Sequence, residues 1–441
     1  MSSPVTILPR FLWNKIRIYL TINDLVKLDQ SSTYLQSIFK EEDWKNAFLN
    51  NRLDDIAVVK NIDTNNYWHN CCTTYIGCTT IKEVFEIIGY QEYNQQFKDQ
   101  YMNNFAKGLY NMCINTMAHK NGACDRYQVY FKRKIFKWDG FGIGSYLPIT
   151  DIGQITDIKF SCNNKIELIG SGDITDLNCT VFESYFPIQS NMNILVPQYL
   201  SISNIVFNNV SLFLHRDYDF HECNLYYKPK KVCITDCLFY NGPLQYSKIE
   251  YVIVTDCIFY SNIIMRHTES GNYKEYNITI TNNIFHKYIA ACIIMITSQK
   301  NILIEITNNE FMGCDKLFSL TRGSIYMNPI IFRNNHISDV RCCGLDNITM
   351  DIEDNAFINV GHLFEQAQSD NNINIDSSNT FENSDAILPY LSDDFYYIKY
   401  DRELLMHRFM IKLLVLTSSI AFCVNSTIIM SSFLRDYYGT I

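Results

Sequence analysis

Apolar and polar residues alternate in the same way in seven segments between residues 232 and 381. In each segment apolar residues alternate with polar ones, a polar pair follows, and a large apolar residue ends the segment. A period of two predicts a half-buried strand, and the polar pair predicts a corner. The segments are VCITDCLF (232–239), VIVTDCIF (252–259), ITITNNIF (278–285), IEITNNEF (304–311), IIFRNNHI (330–337), MDIEDNAF (350–357) and INIDSSNTF (373–381).

The last residues of these segments lie 20 to 26 positions apart. Self-similarity at this spacing predicts a solenoid, in which each repeat buries its apolar face against its neighbours. Leucine-rich repeats would need Leu at fixed positions and helical stretches, whereas the β-branched and aromatic residues found here favour strands. We therefore predict a parallel β-helix. Segments 176–182 and 205–211 fit degenerate earlier coils, and 139–149 fits the turns before the first coil.

Equivalent residues of successive coils would stack at the strand spacing of about 4.8 Å, so like side chains would form columns. We expect an inward apolar stack of Phe239, Phe259, Phe285, Phe311, Ile337, Phe357 and Phe381. A second column stands two positions before each member of this stack. It consists of Cys237, Cys257, Asn283, Asn309, Asn335, Asn355 and Asn379. The five asparagines would form an amide ladder that bonds each coil to the next.

Residues 8–48 predict a different structure, because their apolar residues suit two or three short helices. Pro9 fits a helix start, and Asn23 or Asp24 fits the cap before LVKL. The order of residues resembles an F-box. The residues that carry the resemblance are Leu8-Pro9, Leu12 and Ile16 in a first helix, Leu20, Asp24-Leu25, Leu28, Ser31-Ser32, and Trp44 after an acidic run.

The F-box resemblance implies a three-helix module that docks on a Skp1-like adaptor and so joins a cullin complex that ubiquitinates proteins. An F-box followed by a right-handed parallel β-helix is similar to the known F-box/β-helix proteins. A generic helical cap is the alternative for this module. The residues that the resemblance implies for the adaptor contact are Leu8, Pro9, Leu12, Ile16, Leu20, Leu25 and Leu28.

The predicted organisation is multidomain, with α-helices followed by an all-β region. Residues 1–50 form the F-box-like module, and 51–137 form a helical spacer that covers the first coil. Apolar spacing within 82–120 suits two amphipathic helices, and such a cover would protect an open strand edge. Residues 138–400 form the right-handed parallel β-helix, and 401–441 form a C-terminal helix.

The segment 413–434 carries no charged residue and is flanked by Arg408, Lys412 and Arg435. Its length matches the about 20 residues of a membrane span, which would make it a tail anchor facing the cytoplasm. Its serines and threonines, however, are spaced to form one polar stripe on a helix, which suits a helix that caps the last coil. Both interpretations stay open at the level of the sequence.

Composition narrows the classes of function. A net charge of −9 and a pI near 5.5 argue against a general nucleic-acid binder, because neutralising phosphates requires a basic surface. The N-terminus lacks the pattern of a secretory signal, so the expected location is the cytoplasm or nucleus. The 16 cysteines are then expected to be reduced thiols.

Candidate chemistry is sparse along the chain. Polysaccharide lyases and hydrolases built on β-helices need clustered carboxylates, whereas Gly361-His362 and Asp393-Asp394 are isolated fragments. HRDYDFHEC (215–223) and WHNCCTTYIGC (68–78) contain metal-ligating residue types without the spacing of a known zinc site. We therefore predict no catalytic residue, no metal and no cofactor.

The expected function is that of a substrate-recognition subunit of a Skp1-cullin-F-box ubiquitin ligase. The N-terminal module would bind the adaptor, and the β-helix would bind a protein target. The alternative is a carbohydrate-binding or carbohydrate-cleaving β-helix with an unrelated helical cap.

Overall fold

The residues that the computed structural model describes lie in one compact unit, Met1–Ala386. Leu8, Pro9, the turns at 139–149 and the C-terminal segment 401–441, with its stretch 413–434, lie outside them. The described residues are 12, 15–31, 38–62, 65–88, 126–138, 157–159, 165–175, 178–184, 190–215, 229–267, 275–286, 291–297, 302–321, 329–343, 350–361 and 373–384.

The helices of the described residues lie near the N-terminus. They are a 3₁₀ turn at Arg17–Tyr19, α1 (Ile22–Ser31), α2 (Glu41–Asn50), α3 (Tyr67–Thr74) and α4 (Ile81–Ile88). Reciprocal hydrogen bonds cap α1, because the Thr21 N–H donates to Asp24 Oδ2 over 3.1 Å and the Asp24 N–H donates to Thr21 Oγ1 over 3.2 Å. At the start of α2 the Lys40 N–H donates to Asp43 Oδ2 over 2.9 Å. These bonds satisfy donors that have no partner within the helix.

Within the described ranges, strands numbered β1 to β29 in chain order form three sheets. Sheet A contains β1 (Ile56–Lys60), β2 (Ile76–Cys78), β3 (Arg126–Phe131), β6 (Lys165–Ile169), β9 (Tyr199–Ser203), β12 (Lys231–Thr235), β15 (Tyr251–Thr255), β18 (Tyr276–Thr281), β21 (Ile302–Thr307), β24 (Ile330–Arg333), β26 (Met350–Glu353) and β28 (Ile373–Ile375).

Sheet B contains β4 (Ile135–Trp138), β7 (Thr180–Ser184), β10 (Ile205–Asn208), β13 (Leu238–Tyr240), β16 (Ile258–Tyr260), β19 (Ile284–His286), β22 (Glu310–Met312), β25 (His336–Ser338), β27 (Ala356–Ile358) and β29 (Thr380–Glu382). Sheet C contains β5 (Asp157–Lys159), β8 (Ser190–Leu195), β11 (Val210–His215), β14 (Leu244–Ser247), β17 (Ile263–His267), β20 (Ala291–Thr297) and β23 (Lys316–Thr321).

From β3 to β23 the chain visits sheet A, then B, then C, and repeats this order coil after coil. The register keeps equivalent residues opposite one another, so that Phe239 pairs with Phe259 and Phe259 with Phe285. All these pairings are parallel, whereas β1 pairs antiparallel with β2 and β3. The expectation of a mostly β protein with parallel strands in stacked sheets is confirmed, in an arrangement like a β-helical solenoid.

The corner between sheets A and B explains the first residue of the polar pair in the first six segments. That residue, like Asn204 in the coil before them, adopts a left-handed backbone conformation with φ between 51° and 56°. Asn and Asp tolerate this conformation better than other residues with a side chain, because their short polar group bonds locally. The residues at this corner are Asn204, Asp236, Asp256, Asn282, Asn308, Asn334 and Asp354.

The second residue of the pair points inward and forms a continuous ladder of amides. Asn283 Nδ2 donates to Asn309 Oδ1 over 3.0 Å, and Asn309 Nδ2 donates to Asn335 Oδ1 over 3.1 Å. The ladder continues from Asn335 to Asn355 and from Asn355 to Asn379 at 2.9 and 3.0 Å. All five side chains are buried. Hydrogen bonding between coils offsets the cost of burying these polar groups.

Phenylalanine rings fill the interior of sheet B in register. The centroids of Phe239, Phe259, Phe285 and Phe311 follow one another at 4.9, 4.9 and 4.8 Å with nearly parallel planes. Phe207 extends this stack by 4.9 Å toward the N-terminus. Ile337 takes the same register position opposite Phe311, and Phe357 pairs with Phe381 at 5.0 Å. One apolar column therefore runs through the coils.

The region 51–137, predicted as a helical spacer, contains strands as well as helices. Strands β1, β2 and β3 lie within 51–137 and extend sheet A. Both faces of β1 are buried, since Ile56 and Val58 join the interior of the sheets while Ala57 and Val59 join the core of the helices. A strand buried on both faces shows no polar alternation, which hides it from a search for period two.

Candidate functional site

A group of large apolar side chains is exposed just before α1. Ile16, Ile18 and Tyr19 are 37%, 51% and 78% exposed, and we call these three residues the N-terminal apolar patch. The 3₁₀ turn at Arg17–Tyr19 contains the two most exposed members. Adjacent apolar side chains that stay in contact with water are typical of surfaces that bind another protein.

Side-chain amides from α2 and its C-terminus hold the backbone of this patch. Asn51 Nδ2 donates to the carbonyl oxygens of Ile18 and Leu20, each over 3.0 Å. Asn46 Nδ2 also donates to the Ile18 oxygen, over 3.3 Å. The patch is therefore fixed to the helical module, and a partner that binds it would not have to order the segment first.

The residues that the resemblance implied for the adaptor contact are divided between the surface and the core. Ile16 is exposed and Leu12 is half-buried. Leu20 and Leu28 are half-buried and pack against the helical core. Leu25 is completely buried among these helices, so its side chain supports the module and does not reach its surface.

The helical core that buries Leu25 contains a cluster of aromatic rings. Phe48 lies at its centre, with its ring centroid 5.2 Å from that of Tyr130 on β3 and 5.8 Å from that of Trp68 on α3. Trp44 and Ala47 of α2 belong to the same core and are almost completely buried. Because Tyr130 belongs to sheet A, the helices that carry the apolar patch share their core with the sheet.

Arg52 strengthens this junction. Its side chain is 2% exposed and donates to the carbonyl oxygens of Phe48 at 3.0 Å and Tyr130 at 2.8 Å. Burial lowers the pKa of Arg52 to about 10, which still leaves the guanidinium charged at neutral pH. Its fork therefore joins the end of α2 to β3 by charge-assisted hydrogen bonds.

A second polar chain joins α3 to the sheet. The Tyr67 hydroxyl donates to Gln128 Oε1 and lies 2.5 Å from both this atom and the Tyr130 hydroxyl. Gln128 Nε2 then donates to Glu167 Oε2 on β6 over 2.8 Å. Burial raises the pKa of Tyr67 well above its usual value and that of Tyr130 to about 12, so both hydroxyls stay neutral.

The metal-ligating residue types of 68–78 serve structural contacts. His69 packs against Trp44 with ring centroids 4.6 Å apart, and its Nε2 lies 3.6 Å from Asp29 Oδ2. Burial raises the pKa of the Cys71 and Cys72 thiols to about 12, which keeps them protonated and unreactive. Within the described ranges, no three His, Cys, Asp or Glu side chains are placed to hold a metal ion.

No protein-family model matches the chain, and the searches of curated proteins and of solved structures returned no match. In the part of the chain that the structure describes, none of the helices is long and apolar enough to cross a membrane. The segment 413–434 lies outside that part.

Proposed function

We propose that this chain is a non-catalytic substrate receptor of a Skp1-cullin-F-box ubiquitin ligase. Its N-terminal helices bind a Skp1-like adaptor, and a right-handed parallel β-helix presents a lateral surface to the protein that is ubiquitinated. The observation that carries the proposal is the N-terminal apolar patch. It lies within the segment whose sequence resembles an F-box, and it is exposed where an adaptor could contact it.

The joint between the helices and the sheets supports this role. A receptor has to hold its target at a set distance from the adaptor, which requires a stiff connection between the two binding surfaces. Arg52 and the chain from Tyr67 to Glu167 join the helices to β3 and β6 through buried or half-buried hydrogen bonds. The repeated order of sheets A, B and C supports a β-helix as the rigid body beyond the joint.

The proposal is tested by capture of a Skp1-like adaptor with purified full-length protein. Wild-type protein should retain the adaptor, and Ile18→Glu should reduce capture about tenfold or more, because a charge would be buried in an apolar contact. Ile135→Glu is the matched control, since Ile135 is also an exposed isoleucine, 53% against 51% for Ile18, but lies on sheet B.

Two further results decide the proposal. Leu8→Ala/Pro9→Ala, which the F-box resemblance selects, should also lower capture. Absence of capture by the wild type, or equal losses for Ile18→Glu and Ile135→Glu, would refute the role of the apolar patch. Circular dichroism of each variant checks that its fold is retained.

A further inference from the structure

A second apolar surface lies on the outer side of sheet B. Strands β13, β16 and β19 each direct a phenylalanine inward, so the residues on either side of it face outward. Those outward residues are mainly aliphatic and aromatic. We call them the aromatic face: Leu238, Tyr240, Ile258, Tyr260, Ile284 and His286.

The rings of the aromatic face contact one another. The two tyrosines are exposed and meet edge to face, and His286 is half-buried and stacks on Tyr260. Tyr240 and Tyr260 are 46% and 39% exposed, and their ring centroids are 5.6 Å apart. The Tyr260 and His286 rings follow at 5.0 Å with planes inclined by 20°. The aliphatic side chains beside them are half-buried. Three coils at about 4.8 Å each give a continuous platform about 10 to 15 Å long.

In the coils toward the N-terminus the position of the tyrosines is polar or charged, whereas the aliphatic column of Leu238 continues as Val206, Val181 and Ile135. Toward the N-terminus, Lys137 and Glu183 form an ion pair, and Asn208 Nδ2 donates to Glu183 Oε1 over 2.9 Å. Toward the C-terminus the aliphatic column ends at Glu310 and His336, while Met312 and then Ser338 follow His286 in the other column. Solvent-facing strand positions are normally polar, so exposed tyrosines beside an aliphatic column are typical of a binding surface.

The rim next to the aromatic face is acidic. Asp236 and Asp256 occupy the corner just before β13 and β16, and both side chains are exposed. Partial burial and the neighbouring Asp256 carboxylate raise the pKa of Asp236, which shows that the two negative charges repel each other. A positively charged group placed between them would relieve this repulsion.

We propose that the aromatic face binds an arginine-containing apolar segment of a partner protein. This inference rests on the proposed function, in which the partner is the ubiquitination target. Aliphatic side chains of the segment would pack on Leu238, Ile258 and Ile284. One guanidinium of the segment would pair with the carboxylates of the rim, and another, at the opposite end of the strands, would stack on Tyr240 or Tyr260. A sugar could stack on the tyrosines, but it would gain little from the row of aliphatic side chains.

Fluorescence anisotropy of the full-length protein tests this inference with three labelled octapeptides. One alternates Arg and Leu, one Arg and Ser, and one Glu and Leu. The Arg-Leu peptide should bind most tightly, because it alone supplies both the apolar and the cationic groups. Tyr240→Ser/Tyr260→Ser should raise its Kd about tenfold or more, the loss typical of aromatic residues at the centre of an interface.

Matched variants separate the aromatic face from general effects of the substitutions. Tyr251→Ser removes a tyrosine of similar exposure, 37%, from sheet A in the same coil as Tyr260, and it should leave the Kd within about twofold. Asp236→Asn/Asp256→Asn should weaken binding about threefold or more, and added salt should reduce that difference.

The charge control is Asp339→Asn/Asp354→Asn, which changes the net charge equally. Asp339, Asp354 and both rim aspartates all adopt φ values of 51° to 55°, a conformation that Asn takes at other corners of this chain. Folding should therefore be retained in every case. Equal losses in test and control variants, or Arg-Leu binding no tighter than Arg-Ser binding, would overturn the proposal.

Other occupants of the surface would give different results. Retention of an oligosaccharide that depends on Tyr240 and Tyr260 would identify a sugar-binding surface, and self-association that these tyrosines control would identify a second copy of the chain. Either result would overturn the proposal. Adaptor capture through the N-terminal apolar patch is measured separately. Failure of peptide binding alone removes this inference, and failure of adaptor capture alone removes the ligase role.

Discussion

Asn309→Ala is the most direct test of the amide ladder. The Asn309 side chain is 1% exposed and sits between the coils that carry Asn283 and Asn335. Its Nδ2 donates to Ile280 O, Thr307 O and Asn335 Oδ1 at 2.9, 3.0 and 3.1 Å. Its Oδ1 accepts from the Asn283 N–H and Nδ2 at 2.9 and 3.0 Å. Alanine removes all five contacts.

The expected loss of stability follows from the buried polar groups that lose a hydrogen-bond partner. The Asn283 N–H loses the acceptor that Asn309 provides and remains buried, which costs about 1–3 kcal/mol. Loss of the hydrogen bonds to Ile280 O and Asn335 Oδ1 adds about 1 kcal/mol each. The free energy of unfolding should therefore fall by about 3–5 kcal/mol. That is a large share of the about 5–15 kcal/mol by which most domains are stable.

Equilibrium unfolding of the full-length protein in urea, followed by circular dichroism, measures this loss. Asn308→Gly is the control, because Asn308 is the exposed neighbour with φ of 56°, a conformation that glycine adopts freely. Its effect should stay within about 0.5 kcal/mol. Amide hydrogen exchange at residue 283 should also become faster in Asn309→Ala, because this amide loses its acceptor. Equal stability of the two variants would show that the ladder does not hold the coils together.

Two further predictions concern the interior and the buried tyrosines. Phe285→Ala should lower the free energy of unfolding by about 3–5 kcal/mol, because it removes a buried ring between Phe259 and Phe311. A melting temperature no lower than that of Ile284→Ala, the outward neighbour, would contradict this. Stability should also fall as the pH rises above about 10, because native Tyr67 and Tyr130 keep protons that the unfolded chain releases, so the native state binds more protons. Urea midpoints at increasing pH should show this decline, with a smaller decline in Tyr67→Phe, and a constant midpoint would count against it.

The repeat shows how much of this fold is determined by residues that are close together in the chain. In ITITNNIF the alternation sets which side chains of β18 face inward, and Asn282 turns the corner because its short side chain tolerates the left-handed conformation. Asn283 and Phe285 then face the interior, where each stacks on its equivalent in the next coil. These features depend on a few neighbouring residues and on stacking of like with like. A single sequence that repeats itself therefore reveals them.

The N-terminal module shows what only the tertiary structure decided. Leu25 and Ile18 are both apolar residues in the same predicted helical region, yet one is buried and the other is 51% exposed. The difference arises because α1 packs Leu25 against the helical core, whereas the 3₁₀ turn leaves Ile18 outside it. Burial in such a module depends on which faces of distant segments meet, and spacing along the chain does not contain that information.

The aromatic face depends on both the sequence and the tertiary structure. The sequence by itself determined that Tyr240 and Tyr260 occupy equivalent positions in successive repeats, because each follows the inward phenylalanine by one residue. His286 follows Phe285 in the same way. Only the tertiary structure decided that the His286 ring stacks on that of Tyr260 and that Asp236 and Asp256 come close enough to repel each other. Parallel pairing in register brings residues 20 to 26 positions apart in the chain into contact between adjacent strands. A surface made in this way exists only when the coils are stacked.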